Sequence, residues 1–134
     1  MHMTRRALLA SAAALPLTSL HAETWPSRGI TMLVPSTAGG VVDIAARILQ
    51  DPMAKELGQP IVVENRPGGG GHIAAQAVAR SKPDGYTQLY SAGSILISGV
   101  VRNLQYSPMD DLVPICRTTL GGFLLLVPRD SPFK

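Results

Sequence analysis

A chain of 134 residues has room for one domain, and 46% hydrophobic with only 16% charged residues excludes a disordered, strongly solvated chain. The formal net charge of +3 includes Arg5 and Arg6, and the other basic residues are scattered, which argues against a nucleic-acid-binding face. The single cysteine, Cys116, excludes an intrachain disulfide, and its apolar neighbours predict a small buried residue.

The first 22 residues have the features of an export signal. Arg5 and Arg6 precede an apolar run, and Ala22 lies just before the polar Glu23. The run is shorter than the ~20 apolar residues that span a bilayer, so we expect residues 1–22 to be a signal peptide and the protein not to span the membrane. The arginine pair also resembles a twin-arginine signal, which leaves the Sec and twin-arginine routes open.

The first strand and helix are predicted from a change of hydrophobic period. Ile30–Val34 is an apolar pentamer, typical of a strand buried on both faces. Apolar residues then recur at helical spacing up to Leu57, and Gly58 would end the helix. The recurring residues are Val41, Ala45, Leu49, Met53 and Leu57, with Ile44 and Ile48 beside them. Pro52 removes a hydrogen bond inside this helix, so we expect a kink or a break there.

The alternation of strand and helix continues along the chain. The predicted segments are a strand at 61–64, a glycine-rich turn at 65–71, a helix at 73–79, a turn at 82–85, a strand at 87–90 and a small-residue loop at 91–94 leading to the apolar 95–97. Such repeated units predict an α/β fold with a parallel sheet and right-handed crossovers. Two further strands are predicted at 112–116 and 123–127.

Small-residue loops follow the three strands, at 35–40, 67–72 and 91–94. Open parallel sheets bind ligands at this edge, and the helix N-termini there favour negative charge. Backbone N–H groups could therefore hold a carboxylate without lysine or arginine. The hydroxyl groups available in these loops are those of Ser36, Thr37, Ser91 and Ser94. The glycines fit no phosphate-binding motif, so a role as tight turns stays open.

Two polar residues near these loops have alternative roles. Asp43, in the first turn of the first helix, would either cap that helix or accept a hydrogen bond from a ligand. His72 stands alone at the start of the second helix, which favours a surface or loop-packing role over metal binding. We predict no catalytic residue, no metal and no cofactor.

Three stretches together resemble the Bug/TctC family, the periplasmic solute-binding proteins of tripartite tricarboxylate transporters. The first runs from Trp25 to Arg47 and contains Gly39-Gly40-Val41-Val42-Asp43. The second and most specific runs from Leu57 to Gly71 and contains Glu64-Asn65-Arg66-Pro67-Gly68. The third is Lys82-Pro83-Asp84-Gly85-Tyr86-Thr87, followed by residues 106–115.

The resemblance implies a type II periplasmic binding protein that captures a small carboxylate and works with a membrane permease of one large and one small subunit. Residues 23–134 would be a partial solute-binding domain, most of the first lobe, with the second lobe outside this sequence. Ligand contacts are implied for Ser36, Thr37, Ala38, Gly39, Gly40 and Asp43 in the first loop, and for Ala92, Gly93 and Ser94 in the third. The alternatives are a truncated, non-functional fragment and, less favoured, an exported α/β enzyme using a serine, His72 or Cys116.

Overall fold

The computed structural model describes residues 24–121, together with 126, 128 and 129. The predicted signal peptide at 1–22 lies outside the described residues, and so does most of the strand predicted at 123–127. Strands and helices alternate in the described part, in the order β1 Ile30–Val34, α1 Val41–Leu57, β2 Ile61–Asn65, α2 His72–Ala79, β3 Thr87–Leu89 and α3 Ser94–Val101. A 3₁₀ turn, Gly69–Gly71, immediately precedes α2.

The three strands form a parallel sheet in the order β2-β1-β3. The chain passes from β1 to β2 in one direction and returns past β1 to β3 in the other. Right-handed crossovers therefore place α1 and α2 on opposite faces of the sheet. The predicted α/β class with a parallel sheet is confirmed, and the carboxyl ends of all three strands meet at one edge.

The central strand β1 supplies most of the core. Ile30, Met32 and Val34 are buried on one face and pack with Ala46 of α1 and Ile61 of β2. Leu33, which alternates to the other face, is buried as well. Burial of successive residues is expected for a strand that is covered by helices on both sides.

Helix α1 runs without interruption from Val41 to Leu57 and ends at Gly58, which has the left-handed φ of 65°. The predicted end of the helix is confirmed. Of the two outcomes expected at Pro52, the break is wrong and the kink stays a prediction. Pro52 and Ile48 are both exposed, so water can hydrate the Ile48 carbonyl that the proline leaves without a helical partner.

The face of α1 that meets the sheet differs from the predicted one. The helical residues that pack against the core are Val42, Ala46, Met53, Ala54 and Leu57. Three residues of the predicted apolar stripe are instead exposed, namely Val41, Ile44 and Ile48. Apolar residues surround much of this helix, so spacing alone identifies the helix without identifying its buried side.

Residues 112–116 form no strand, which corrects the prediction for this segment. Its apolar side chains Val113 and Ile115 are exposed, and Cys116 is an exposed free thiol rather than a buried residue. A hydrogen bond of 2.8 Å joins the Tyr90 hydroxyl to Thr118 Oγ1 and ties this segment to the end of β3. None of the described helices is long and apolar enough to cross a membrane.

The segment before β1 packs at the opposite, amino-terminal edge of the sheet. The Tyr86 hydroxyl accepts a 2.8 Å hydrogen bond from the Ser27 N–H. The Arg28 guanidinium lies 3.8 Å from the centroid of the Tyr86 ring and pairs with Asp84 at 3.1 Å. Tyr86 thus stabilises the fold at the edge away from the loops that follow the strands.

We expect Pro52→Ala to raise the free energy of unfolding by about 1–3 kcal/mol, because alanine restores a helical hydrogen bond and removes the ring clash. The greater conformational entropy of alanine in the unfolded chain offsets part of this gain. Urea denaturation of the full chain measures the change. Glu56→Ala, also at an exposed position of α1, is the control, expected to change stability by less than about 0.5 kcal/mol. Lower stability of Pro52→Ala would contradict this account of α1.

Candidate functional site

All three helices begin at the edge of the sheet where the strands end. Their N-cap residues are Gly40, Gly71 and Gly93, and glycine offers no side-chain oxygen to occupy the first N–H groups of a helix. These N–H groups and the helix dipole favour negative charge. Three helix N-termini at one edge therefore create a positive potential that needs no lysine or arginine.

A cavity of about 130 Å³ lies among these helix ends. Its lining residues are Pro35, Ser36, Val42, Gly70, Gly71, Ser91, Ala92, Ser94 and Ile95, which come from all three loops and from the first turns of α1 and α3. The strand order reverses at β1, where ligands of open parallel sheets bind. The cavity is small, so it suits a carboxylate on a short carbon chain better than a drug-sized molecule.

Ser36 contributes a buried hydroxyl to this cavity. Its Oγ has no hydrogen-bond partner among the residues that the structure describes. A buried polar atom left without a partner costs about 1–3 kcal/mol of stability. Rotation of the Ser36 side chain towards the cavity would let a carboxylate oxygen accept this hydrogen bond and remove the penalty.

Asp43 lies beside the cavity and is only 2% exposed. Its carboxylate accepts hydrogen bonds from Arg47 Nε at 3.0 Å, from the Gly39 N–H at 2.8 Å and from Asn65 Nδ2 at 2.9 Å. Arg47 foremost, then Gly39 and Asn65, lower the pKa of Asp43 from 3.8 to about 2. An acidic side chain that reaches back to the N–H before its own helix resembles one half of a capping box, which supports the capping interpretation.

Asn65, the last residue of β2, was missed as a site residue by the sequence reasoning, which placed it in a glycine-rich turn. Its side-chain N–H group donates to the Ser36 carbonyl at 3.0 Å, and its Oδ1 accepts from Arg47 Nη2 at 3.1 Å. Asn65 therefore holds the loop after β1 against the end of β2. Its position in the sequence could have indicated this role, because a polar residue at the end of one parallel strand lies beside the loop that follows the neighbouring strand.

The cavity brings together three of the nine predicted ligand-binding residues, Ser36, Ala92 and Ser94. The N–H groups of two others are already used, because Gly39 donates to Asp43 and Gly40 donates to the Thr37 carbonyl at 3.1 Å. Ligand contacts by all of these residues stay predictions, as they do for the other members of the set, which are Thr37, Ala38, Asp43 and Gly93.

Of the two glycines that line the cavity, Gly71 has less space for a side chain than Gly70. Its φ is +95°, and a Cβ added there would lie 3.1 Å from Pro35 Cβ and 3.3 Å from Ile95 Cδ1. A glycine at this position lets the start of α2 approach the first loop and α3 closely. The glycine-rich turn is evident in the sequence, but the role of Gly71 in the cavity wall is visible only in the structure.

Comparison with known proteins identifies the family. Residues 45–134 match the profile of TctC, the tripartite tricarboxylate transporter family receptor. The chain belongs to the Bug/TctC family. It is 45% identical over 123 residues to a UPF0065 protein of Bordetella bronchiseptica, a match that covers 90% of this chain and 37% of that protein. BugT of Bordetella pertussis is 40% identical over 116 residues, which are 84% of this chain and 35% of BugT.

Solved structures show the same fold as this Bug/TctC chain. A periplasmic transporter superposes with a TM-score of 0.58 at 42% identity, over 63% of this chain and 29% of that one. MatC from Rhodopseudomonas palustris with bound malate superposes with a TM-score of 0.57 at 40% identity, and the match covers 65% of this chain and 30% of MatC. The predicted family and the binding-protein fold are thus confirmed, and the chain spans little more than a third of the relatives it matches.

We expect Asp43→Asn to remove part of the acid sensitivity of the fold. The pKa of Asp43 is about 2 in the folded state and near 3.8 in the unfolded chain, so its ionised form stabilises the protein fully above about pH 4 and progressively less as the pH falls through 2. Urea denaturation between pH 2 and 7 measures this. Asp51→Asn, at an exposed position of α1, is the control. An Asp43→Asn variant that loses stability on acidification as steeply as the parent would contradict the assignment.

Proposed function

We propose that this chain forms the carboxylate-binding part of a periplasmic solute-binding protein of a tripartite tricarboxylate-type transporter. The observation that carries the proposal is the meeting of three glycine-capped helix N-termini at one small cavity, together with the unpaired Ser36 hydroxyl. Backbone N–H groups and hydroxyls at this edge would hold one carboxylate of the ligand.

The lining of the cavity supports a carboxylate as the ligand. Ser36, Ser91 and Ser94 offer hydroxyl donors, and Val42 and Ile95 offer apolar surface to a short carbon chain. No lysine or arginine is among the described residues that line the cavity. Malate, the ligand bound to the similar MatC, is therefore the first probe for this chain, followed by other di- and tricarboxylates.

Export and partnership belong to the same proposal. Residues 1–22 would direct the chain to the periplasm and be removed, leaving residues 23–134 as part of a solute-binding domain. The membrane permease subunits of the transporter would be its partners. Family membership supports this role, because the matched family consists of transporter receptors.

Calorimetric titration of the full chain with malate tests the proposal. We expect Ser36→Ala to bind about tenfold more weakly or worse, because it loses a hydrogen bond to a charged acceptor. The ligand-free variant should unfold at the same or a higher temperature than the parent, since the substitution removes a buried hydroxyl that has no partner.

Ser81→Ala is the matched control for this titration. Its Oγ donates to the Val78 carbonyl at 2.7 Å at the C-terminal end of α2, away from the cavity, so its malate affinity should equal that of the parent. Equal affinities of Ser36→Ala and the parent would contradict the site. Failure of the parent to bind any di- or tricarboxylate would contradict the function.

A further inference from the structure

His72 joins three separate parts of the chain behind the cavity. The imidazole is 7% exposed, which corrects the surface role and confirms the loop-packing one. Its Nδ1 lies 2.8 Å from the Tyr106 hydroxyl, and its Nε2 lies 2.9 Å from Ser98 Oγ. The side chain at the start of α2 therefore reaches both α3 and the segment that follows α3.

The hydrogen-bond pattern favours one neutral tautomer of His72. Ser98 Oγ lies 3.3 Å from the Ile95 carbonyl, and a hydroxyl that donates to this carbonyl accepts from the imidazole, which places the ring proton on Nε2. Nδ1 then accepts the proton of the Tyr106 hydroxyl. Burial raises the pKa of Tyr106, which keeps its hydroxyl protonated and able to donate.

This cluster is continuous with the cavity wall. Gly71, the residue before His72, lies against Ile95, and both residues line the cavity. On the α3 side, the serine that accepts from His72 also donates to the carbonyl of the same Ile95. The imidazole is not among the residues that line the cavity, and it connects the two helices next to Gly71 and Ile95, which meet at the cavity wall.

We propose that His72 is a positioning residue that sets the spacing of the α2 and α3 N-termini around the ligand cavity without contacting the ligand itself. Anion binding by backbone N–H groups requires those groups to be held at the right separation, because only preorganised donors add to affinity. Supporting residues behind a binding site commonly act this way. This role rests on the proposed carboxylate-binding function.

Tyr106→Phe and Ser98→Ala test the proposal in the full chain, each removing one partner of the imidazole. We expect malate affinity to fall about tenfold in each variant, by analogy with the loss of hydrogen bonds that orient metal ligands. Tyr86→Phe is the matched control, because it also removes a tyrosine hydroxyl with a 2.8 Å hydrogen bond but lies at the opposite edge of the sheet. It should lower stability and leave malate affinity unchanged.

Nuclear magnetic resonance supplies readouts that need no ligand. We expect the imidazole nitrogens of the parent to report the Nε2–H tautomer. In Tyr106→Phe, but not in Tyr86→Phe, the amide protons of Gly71 and Ile95 should exchange faster with solvent. A ring proton on Nδ1 would overturn the assigned tautomer, and unchanged exchange in Tyr106→Phe would overturn the cross-link between the helices.

The binding results separate this proposal from the function on which it rests. A parent that binds malate, with Tyr106→Phe binding as tightly as Tyr86→Phe, would overturn the positioning role alone. A parent that binds no carboxylate would overturn the proposed function and the effect of His72 on affinity together. Weaker binding confined to the variants around His72 would support both.

Discussion

The loop between β1 and α1 keeps its shape because the buried carboxylate of Asp43 accepts hydrogen bonds from three parts of the chain. Gly39 comes from the loop itself, Arg47 from the next turn of α1, and Asn65 from the end of β2. Asn65 also donates to the Ser36 carbonyl and so transmits this constraint to the cavity. A buried charge is tolerated only when its hydrogen bonds are made, so the loop, the helix and the neighbouring strand are held together.

The site separates its charged groups from its binding surface. Asp43 and Arg47 pair with each other beside the cavity, whereas the cavity wall consists of glycine, serine and apolar residues. In the proposed site, attraction for an anion would come from helix N-termini, whose N–H groups are fixed by the backbone. His72 makes a second connection between elements, from α2 to α3, so that each helix start at this edge is held by side chains that lie behind the site.

The strands and helices could be predicted well from the sequence, because the spacing of hydrophobic residues and the residues that form turns are local features of the chain. Ile30–Val34 as a buried strand and Gly58 as the end of α1 needed only neighbouring residues. Side chains that act over long distances in the chain were missed. Asn65 and His72 acquire their roles from partners 18 to 34 residues away. Cys116 was predicted to be buried, but it is exposed and its segment pairs with none of the described strands. The candidate site was thus located by loop position, while its supporting contacts required the structure.

A titration of the ¹⁵N-labelled full chain with malate, followed through its backbone amide signals, tests whether the three helix N-termini form one anion site. We expect saturable shifts that are largest for Val42, Gly71 and Ser94, one residue at the start of each helix. A second cavity, of about 310 Å³, is lined mainly by residues between 96 and 109. Shifts centred on that cavity instead, or no shifts at saturating malate in a folded protein, would contradict the proposed site.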